Sequence, residues 1–326
     1  MAVSSLRNFY KPVIVVSKCL GFNACRYNGQ MAQDSFVEKL KGYVEFKTIC
    51  PEVGIGLTTP RNAIRIVKNK DELILCDPKN SSDYTKAMYE FSYDFLDGIK
   101  EVDGFILKSR SPSCGIKDVK IYTNIEKGGP SSKGRGIFGG VATEVFPNIP
   151  IEDEGRLKDF KIREHFLTRL YTLLTFKTIK RLYCKKELTS FHNSNIFLFT
   201  MYNKTYLKRL NSIIKNINNE PLDKTLEQYE TYLNLALGRI PRNDSKVKVL
   251  FQCVECFEGR ISKEEKEFVV DTINQYKEGH IPYPVPLYLI KSYAVRFEDK
   301  DMLEQSFFEP YPKGLIEVRD SGKALN

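Results

Sequence analysis

Eight cysteines stand at positions 19, 25, 50, 76, 114, 184, 253 and 256. Three of them share a context: Cys19, Cys50 and Cys114 each follow a short strand-like run, Val13–Val16, 44–49 and Gly104–Leu107. Cys114 lies in the segment K-S-R-S-P-S-C-G, residues 108–115. There Pro112 fixes its own backbone and pushes Ser111 towards an extended conformation, while Gly115 offers an exit closed to other residues. Such a segment reads as a rigid loop presenting a thiol. Thiolates gathered at one pocket suit a soft metal. A structural zinc site takes four ligands, often from closely spaced Cys/His pairs. No such spacing links these three, and the first His is at position 165. A [4Fe–4S] cluster is held by cysteine thiolates, and with three supplied one iron stays open to act as a Lewis acid. Buried structural cysteines are the competing reading, and the residues alone leave both open.

The elements that must position these thiols are read from the apolar pattern. Residues 31–41 carry a helical pattern with Phe36, Val37 and Leu40 on one side, and 83–100 another with Met88, Phe91, Phe95 and Ile99. Ala63–Val67 reads as a peripheral strand and Leu73–Cys76 as strand core. Strands alternating with helices imply parallel β-α-β units, whose right-handed crossovers bring neighbouring carboxyl ends to one edge. Ligands bind at that edge in open α/β sheets. Cysteines 31 and 64 residues apart are therefore expected to share one pocket. The fold class is α/β, with an N-terminal open, mainly parallel sheet flanked by helices and then a separate all-α domain. Asn148-Ile149-Pro150 and the acidic stretch after it read as the boundary, giving domains 1–150 and 151–326. Helical patterning dominates 160–183, 186–239 and 262–278.

Composition bounds the partners. The 326 residues carry a formal net charge of +9. Residues 1–155 hold 21 Lys/Arg against 19 Asp/Glu, and the remainder 29 against 22. The basic second half favours an anionic partner such as RNA or a nucleotide, or else is a solvated Lys-rich surface. No apolar run approaches the ~20 residues that cross a bilayer. Val13–Val16 is too short for a signal-peptide core. A cytoplasmic location with reduced cysteines is the expectation. The glycine-rich stretch 127–140, with Lys127, Lys133 and Arg135, is either a flexible loop or a phosphate contact, and matches no phosphate-binding fingerprint. Cys253-Val254-Glu255-Cys256 is a C-x-x-C, a metal or redox signal elsewhere, but with no second pair nearby its helical spacing reads as core; Cys184 reads as packing, and His165 and His192 as helix packing or capping rather than partners in a helical site.

Several motifs occur together and in order: Ser17-Lys18-Cys19-Leu20-Gly21, Arg26-Tyr27-Asn28-Gly29, Cys50-Pro51-Glu52-Val53, Gly56-Leu57, Pro60-Arg61 and Lys108 to Gly115. Over residues 10–150 the chain thereby resembles the thiouracil desulfidase family. The resemblance implies an α/β fold and a [4Fe–4S] cluster on Cys19, Cys50 and Cys114 with one open iron. It also implies hydrolytic removal of sulfur from thiouracil-type bases or nucleotides, with release of hydrosulfide. Within it, Glu52 is the candidate general base, with a salt bridge to Arg61 or Arg26 as the structural alternative. Ser111 is the candidate hydrogen-bond donor or proton relay, with Ser109 and Ser113 as substitutes or turn residues. Lys108, Arg26 and Arg61 would hold the anionic cluster or a nucleotide phosphate, or pair structurally. Lys18 and Cys25 depart from the family pattern, and Cys25 either approaches the cluster or is a buried thiol. The second half is similar to the YbgA-like helical family, through Ile151 to Leu157, Arg163 to Phe166, Ser190-Phe191-His192, Ile281 to Leu287 and Gln305 to Pro312. The competing readings are an RNA- or nucleotide-binding protein with a structural or redox-sensing cluster, and a zinc-stabilised module.

Overall fold

Four short β-branched or aromatic runs make the sheet on which the first half is built: β1 (Val13–Ser17), β2 (Glu45–Ile49), and the strands Gly104–Leu107 and Ile151–Asp153. In the computed structural model, which describes residues 8–70, 72–125 and 129–316, they pair in parallel. Parallel strands need long crossovers, and these bring in the helices. The first crossover holds α1 (Ser35–Leu40), started by Asp34, whose Oδ1 accepts from the N–H groups of Phe36 and Val37 at 3.0 Å each. After β2 comes α2 (Pro51–Gly54), with Pro51 in its first turn.

A second sheet interrupts the chain before the parallel pattern resumes. It contains β3 (Arg65–Asn69), β4 (Glu72–Cys76), then, beyond α3 (Thr85–Asp97) and β5 (Gly104–Leu107), β6 (Val119–Tyr122) and β7 (Ser131–Gly134). Its order is β4-β3-β6-β7, with antiparallel pairs at both ends and a parallel pair in the middle. The strand expected at Ala63–Val67 belongs here as β3. The unit closes with α4 (Ile137–Val145) and β8 (Ile151–Asp153), so the main sheet reads β2-β1-β5-β8. Val15, Phe105 and Leu107 are buried with Phe91, Phe95 and Leu96 of α3 and Phe138, Val141 and Ala142 of α4. Ile14, Val16 and Ile106 alternate with them and are equally buried on the opposite face. A strand buried on both faces reads as a continuous apolar run, which is what made β1 and β5 visible.

Asn148-Ile149-Pro150 leads into β8, whose Ile151 and Asp153 pair with Phe105 and Leu107. The first compact unit runs from Lys11 to Phe166. The second begins at Leu167 and takes in the first described residues, with Phe9 edge-on to Tyr171 at 5.5 Å between ring centroids.

The second unit is helical, as its patterning predicted: α5 (Phe160–Leu182), which runs through the division, α6 (Lys185–Ser194), α7 (Ile196–Tyr202), α8 (Lys204–Lys215), α9 (Leu222–Ala236), α10 (Asn243–Glu255), α11 (Lys263–Lys277), α12 (Pro284–Arg296) and α13 (Lys300–Leu303). Ser262 and Glu265 form a capping box at α11. Cys253 is fully buried in the core, whereas Cys256, at the end of α10, is exposed. His192 is a core residue, as expected. Its Nε2 donates to Asn211 Oδ1 at 2.8 Å and its Nδ1 accepts from the Tyr229 hydroxyl at 3.0 Å. No helix among the described residues is long and apolar enough to cross a membrane.

Burial pushes the His192 pKa below its ordinary 6.5 despite the Asn211 bond. The folded state therefore keeps a neutral ring where the unfolded chain binds a proton. Stability from this group is complete above pH 6.5 and is lost as pH falls towards the depressed folded value, by at most about 1.4 kcal/mol per pH unit. The expected outcome is a melting temperature that falls more steeply between pH 7 and 5 in the native chain than in His192→Gln. Identical slopes would contradict it.

Candidate functional site

The register of the parallel strands decides what meets at their carboxyl ends. Ser17 is opposite Ile49, and Leu107 is opposite Asp153. The Lys18 N–H donates to the Ile49 carbonyl at 2.7 Å, and the Lys108 N–H donates to Ser17 Oγ at 2.8 Å. The four chain exits are thus tied side by side around a cavity of about 760 Å³. All ten residues singled out in the sequence line it: Cys19, Cys50, Cys114, Glu52, Ser111, Lys108, Ser109, Ser113, Arg26 and Arg61. Ser17, Cys25, Asp153 and Glu154 line it too.

The loop carrying Cys114 is held by backbone groups. Ser111 Oγ accepts from the N–H of Ser113 at 3.3 Å and of Cys114 at 3.1 Å, and the Ser111 carbonyl accepts from Gly115 at 2.9 Å. The first turn of α4 then donates back, Ile137 N–H to Pro112 O at 3.1 Å and Gly139 N–H to Ser113 O at 3.0 Å. A Cβ at Gly139 would come within 2.5 Å of the Gly115 carbonyl oxygen, and one at Gly136 equally close to that of Ser113. The same holds for Gly115, where a Cβ would meet Val119 at 2.4 Å, so its role is close approach rather than an unusual exit angle. The glycine-rich stretch is accordingly structural: part of it is β7, and its end seats α4 on the cysteine loop. Lys133 pairs with Asp118 at 3.0 Å and Arg135 donates to Thr143 Oγ1 at 3.0 Å, while Lys127 lies outside the described residues.

Two carboxylates, Glu154 buried and Glu52 half-buried, organise the polar wall. Glu52 Oε2 accepts from Arg61 Nε at 2.9 Å and Nη2 at 2.5 Å, and its Oε1 accepts from Ser113 Oγ at 2.8 Å. The side chains of this pair are 12% and 7% exposed, so solvent screens it little. Arg61, not Arg26, is the partner of Glu52. The Arg26 guanidinium instead lies 5.9 Å from the Tyr27 ring centroid. Ser113 rather than Ser111 reaches Glu52, and Ser111 Oγ stands 2.9 Å from Ser113 Oγ. Glu154 holds the other side. It ion-pairs with Lys108 Nζ and accepts from the Ser109 N–H and Oγ at 2.7 Å each. Burial works to raise its pKa, but the bonds from Lys108 and Ser109 outweigh it and hold the carboxyl below 4.5. Lys108 and Arg61 are therefore already engaged. Among the described residues the cavity's Arg26, Arg110, Lys117 and Lys158 carry no ion pair.

Burial first, and the neighbouring Cys50 second, push the Cys19 thiol up to about 11. The Cys25 thiol is pushed up to about 12 by burial and by the charge and hydrogen bond of Cys50. Cys114 is raised further by burial, against a hydrogen bond with Ser17. Among the described residues no group of three or more His, Cys, Asp or Glu closes on a single metal ion. Cys76 is buried, as expected of strand core. Glu154 and Ser17 are not among the residues the sequence singles out: the first lies in the acidic stretch that reads as a domain boundary, the second at the end of a strand. Glu154→Gln should cost the first unit about 2–3 kcal/mol by leaving Lys108 unpaired. An unfolding free energy from urea titration within about 0.5 kcal/mol of the native chain's would contradict that.

Residues 14–154 match the model of a family described as 2-thiouracil desulfurase, and residues 197–312 one described as a protein of unknown function, DUF1722. The uncharacterised protein YbbK of Bacillus subtilis (strain 168) is 34% identical over 110 residues, which are 32% of this chain and 73% of YbbK. The uncharacterised protein YbgA of Escherichia coli (strain K12) is 24% identical over 163 residues, 50% of this chain and 86% of YbgA. Among solved structures, the [4Fe-4S]-dependent thiouracil desulfidase TudS aligns with 26% identity over 45% of this chain and 94% of its own, at a TM-score of 0.36.

Proposed function

Because the chain belongs, through residues 14–154, to the 2-thiouracil desulfurase family, we propose that the cavity hydrolyses thiouracil-type bases or nucleotides to the oxo compound and hydrosulfide. The reading rests on one observation above all: the hydrogen-bonded chain Ser113–Glu52–Arg61 borders the same cavity as three thiols from three loops. We propose Cys19, Cys50 and Cys114 as the ligands of a [4Fe–4S] cluster. The donor set fits such a group. All three are soft ligands facing one cavity, and each iron of a polynuclear cluster needs only one thiolate, so the ligands need not close on a point. Binding would displace the protons that burial keeps on Cys19 and Cys114. Bound, the cluster supplies a Lewis-acidic iron with an open position for a thiocarbonyl sulfur.

The side chains do the remaining work. Glu52 Oε2 is committed to Arg61, which leaves Oε1, shared only with Ser113, to take a proton from the attacking water. The water oxygen bonds to the ring carbon and Glu52 passes its proton to the sulfur; the carbon–sulfur bond then breaks to release hydrosulfide as the second water proton moves to Glu52, leaving the oxo compound. Ser113 orients Oε1, and Ser111 passes a hydrogen bond to Ser113. Lys108 and Ser109, fixed by Glu154, are proposed with Arg26 and Arg61 to hold the substrate. We place the enzyme in the cytoplasm, where the thiols stay reduced. A contact of the basic second half with RNA is proposed from its excess of Lys and Arg.

Anaerobic reconstitution should give iron and acid-labile sulfide in the native chain and lose them in Cys19→Ser, Cys50→Ser and Cys114→Ser. Full loading of any one variant would remove that residue from the ligand set. Glu52→Gln should keep the cluster yet lower sulfide release from 2-thiouracil, 4-thiouracil or 4-thiouridine monophosphate by about 10²–10⁴-fold. Unchanged release would defeat the mechanism, and running thiolated tRNA alongside would separate base, nucleotide and RNA as substrates.

A further inference from the structure

A pyrimidine has two flat π-faces that polar groups at its edge do not satisfy, and most of the cavity wall is polar. Among the described residues that line the cavity, Tyr27 alone is aromatic. It is 44% exposed, so folding gains little from its ring. Among the described residues its hydroxyl makes no hydrogen bond, and the Arg26 guanidinium, 5.9 Å from the ring centroid, is its only ring partner.

Exposure here is not looseness. The Arg26 carbonyl accepts from the Gly29 N–H at 2.8 Å, and the Arg26 N–H donates to the Gln30 carbonyl at 3.3 Å, closing a turn around Tyr27. Gly29 sits at φ +70°, the left-handed region that favours glycine. The Tyr27 carbonyl accepts from the Arg61 N–H at 2.8 Å, while the Arg61 side chain donates to Glu52. One arginine thus fixes the aromatic turn and the general base relative to each other. An aromatic ring on a fixed backbone offers contact area at little entropic cost. We propose that Tyr27 is the stacking platform for the pyrimidine ring of the substrate, and that it selects flat aromatic rings while the polar groups of the cavity read the ring's edge. Stacking tolerates any base, so Tyr27 separates aromatic from saturated rings rather than one pyrimidine from another. The inference rests on the substrate class proposed above.

The test uses the full chain, reconstituted anaerobically as native, Tyr27→Phe and Tyr27→Leu. Uracil and 5,6-dihydrouracil share one polar edge, but only uracil is flat and aromatic, and neither carries sulfur to release. In equilibrium dialysis the native and Tyr27→Phe chains are expected to prefer uracil. Tyr27→Leu should bind uracil about 5- to 150-fold more weakly, with dihydrouracil little changed. The KM for 4-thiouracil should rise in step. A native chain that holds both rings equally, or neither, would overturn the proposal, as would a native uracil affinity in Tyr27→Leu. A loss in Tyr27→Phe as large as in Tyr27→Leu would also overturn it, by moving the contact to the hydroxyl. A native chain that prefers uracil yet releases no sulfide from 4-thiouracil would sink the hydrolytic reading and leave the platform standing.

Discussion

Parallel pairing of β1 with β2 and β5, and of β5 with β8, is the constraint from which the site follows. Antiparallel neighbours would send alternate strand ends to opposite edges. Four parallel strands send all their carboxyl ends to one, and their buried faces leave that edge as the place for polar chemistry. Each of β1, β2 and β5 is followed by one of the three thiols, and β8 is followed by Glu154. A shift of one residue in any strand would turn its side chains to the other face and take Ser17 or Ile49 out of the rim. The β-branched core of β1, buried along its whole length, therefore sets the cavity's geometry as firmly as any residue that lines it.

The two carboxylates turn that shared edge into a fixed wall. Glu52 ties the turn after β2 to the cysteine loop through Ser113 and to the following segment through Arg61. Glu154 ties the exit of β8 to Lys108 and Ser109 at the exit of β5. Buried ion pairs return little net stability, because desolvation consumes most of the Coulombic gain. Their effect here is on position: each carboxylate is bonded to a hydroxyl or an N–H from another loop, so neighbouring strand tips cannot separate without stranding a charge. Of the cavity cations without an ion pair, Arg110, Lys117 and Lys158 are exposed and Arg26 is half-buried.

What the sequence made legible has a physical pattern. β1 and β5 are continuous apolar runs because both faces of the sheet are covered, and the cysteines after them stand at recognisable chain exits. β7 was invisible because Ser131-Ser132-Lys133-Gly134 has no strand propensity of its own and forms only against β6. β8 was hidden by its length, three residues followed by an acid-rich turn that reads as a domain boundary. The Glu154–Lys108 pair spans 46 positions, a tertiary relation that no local pattern encodes. Ser111 and Ser113 are chemically identical in the sequence. Only the turn geometry, with the Ser111 oxygen spent on the N–H of Cys114, gives Ser113 the contact with Glu52.

The charge balance of the cavity supports the metal-ligand role proposed above for its thiols over a nucleophilic one. A reactive cysteine sits where nearby cations stabilise the thiolate and lower its pKa. Here Arg61 answers Glu52 and Lys108 answers Glu154, and burial raises Cys19, Cys25 and Cys114 instead. Three thiolates in such a place would be negative charges without a partner among the buried side chains. Their deprotonation becomes favourable only with a compensating positive charge delivered into the cavity itself, and a soft metal centre is the partner that supplies both the charge and the bond.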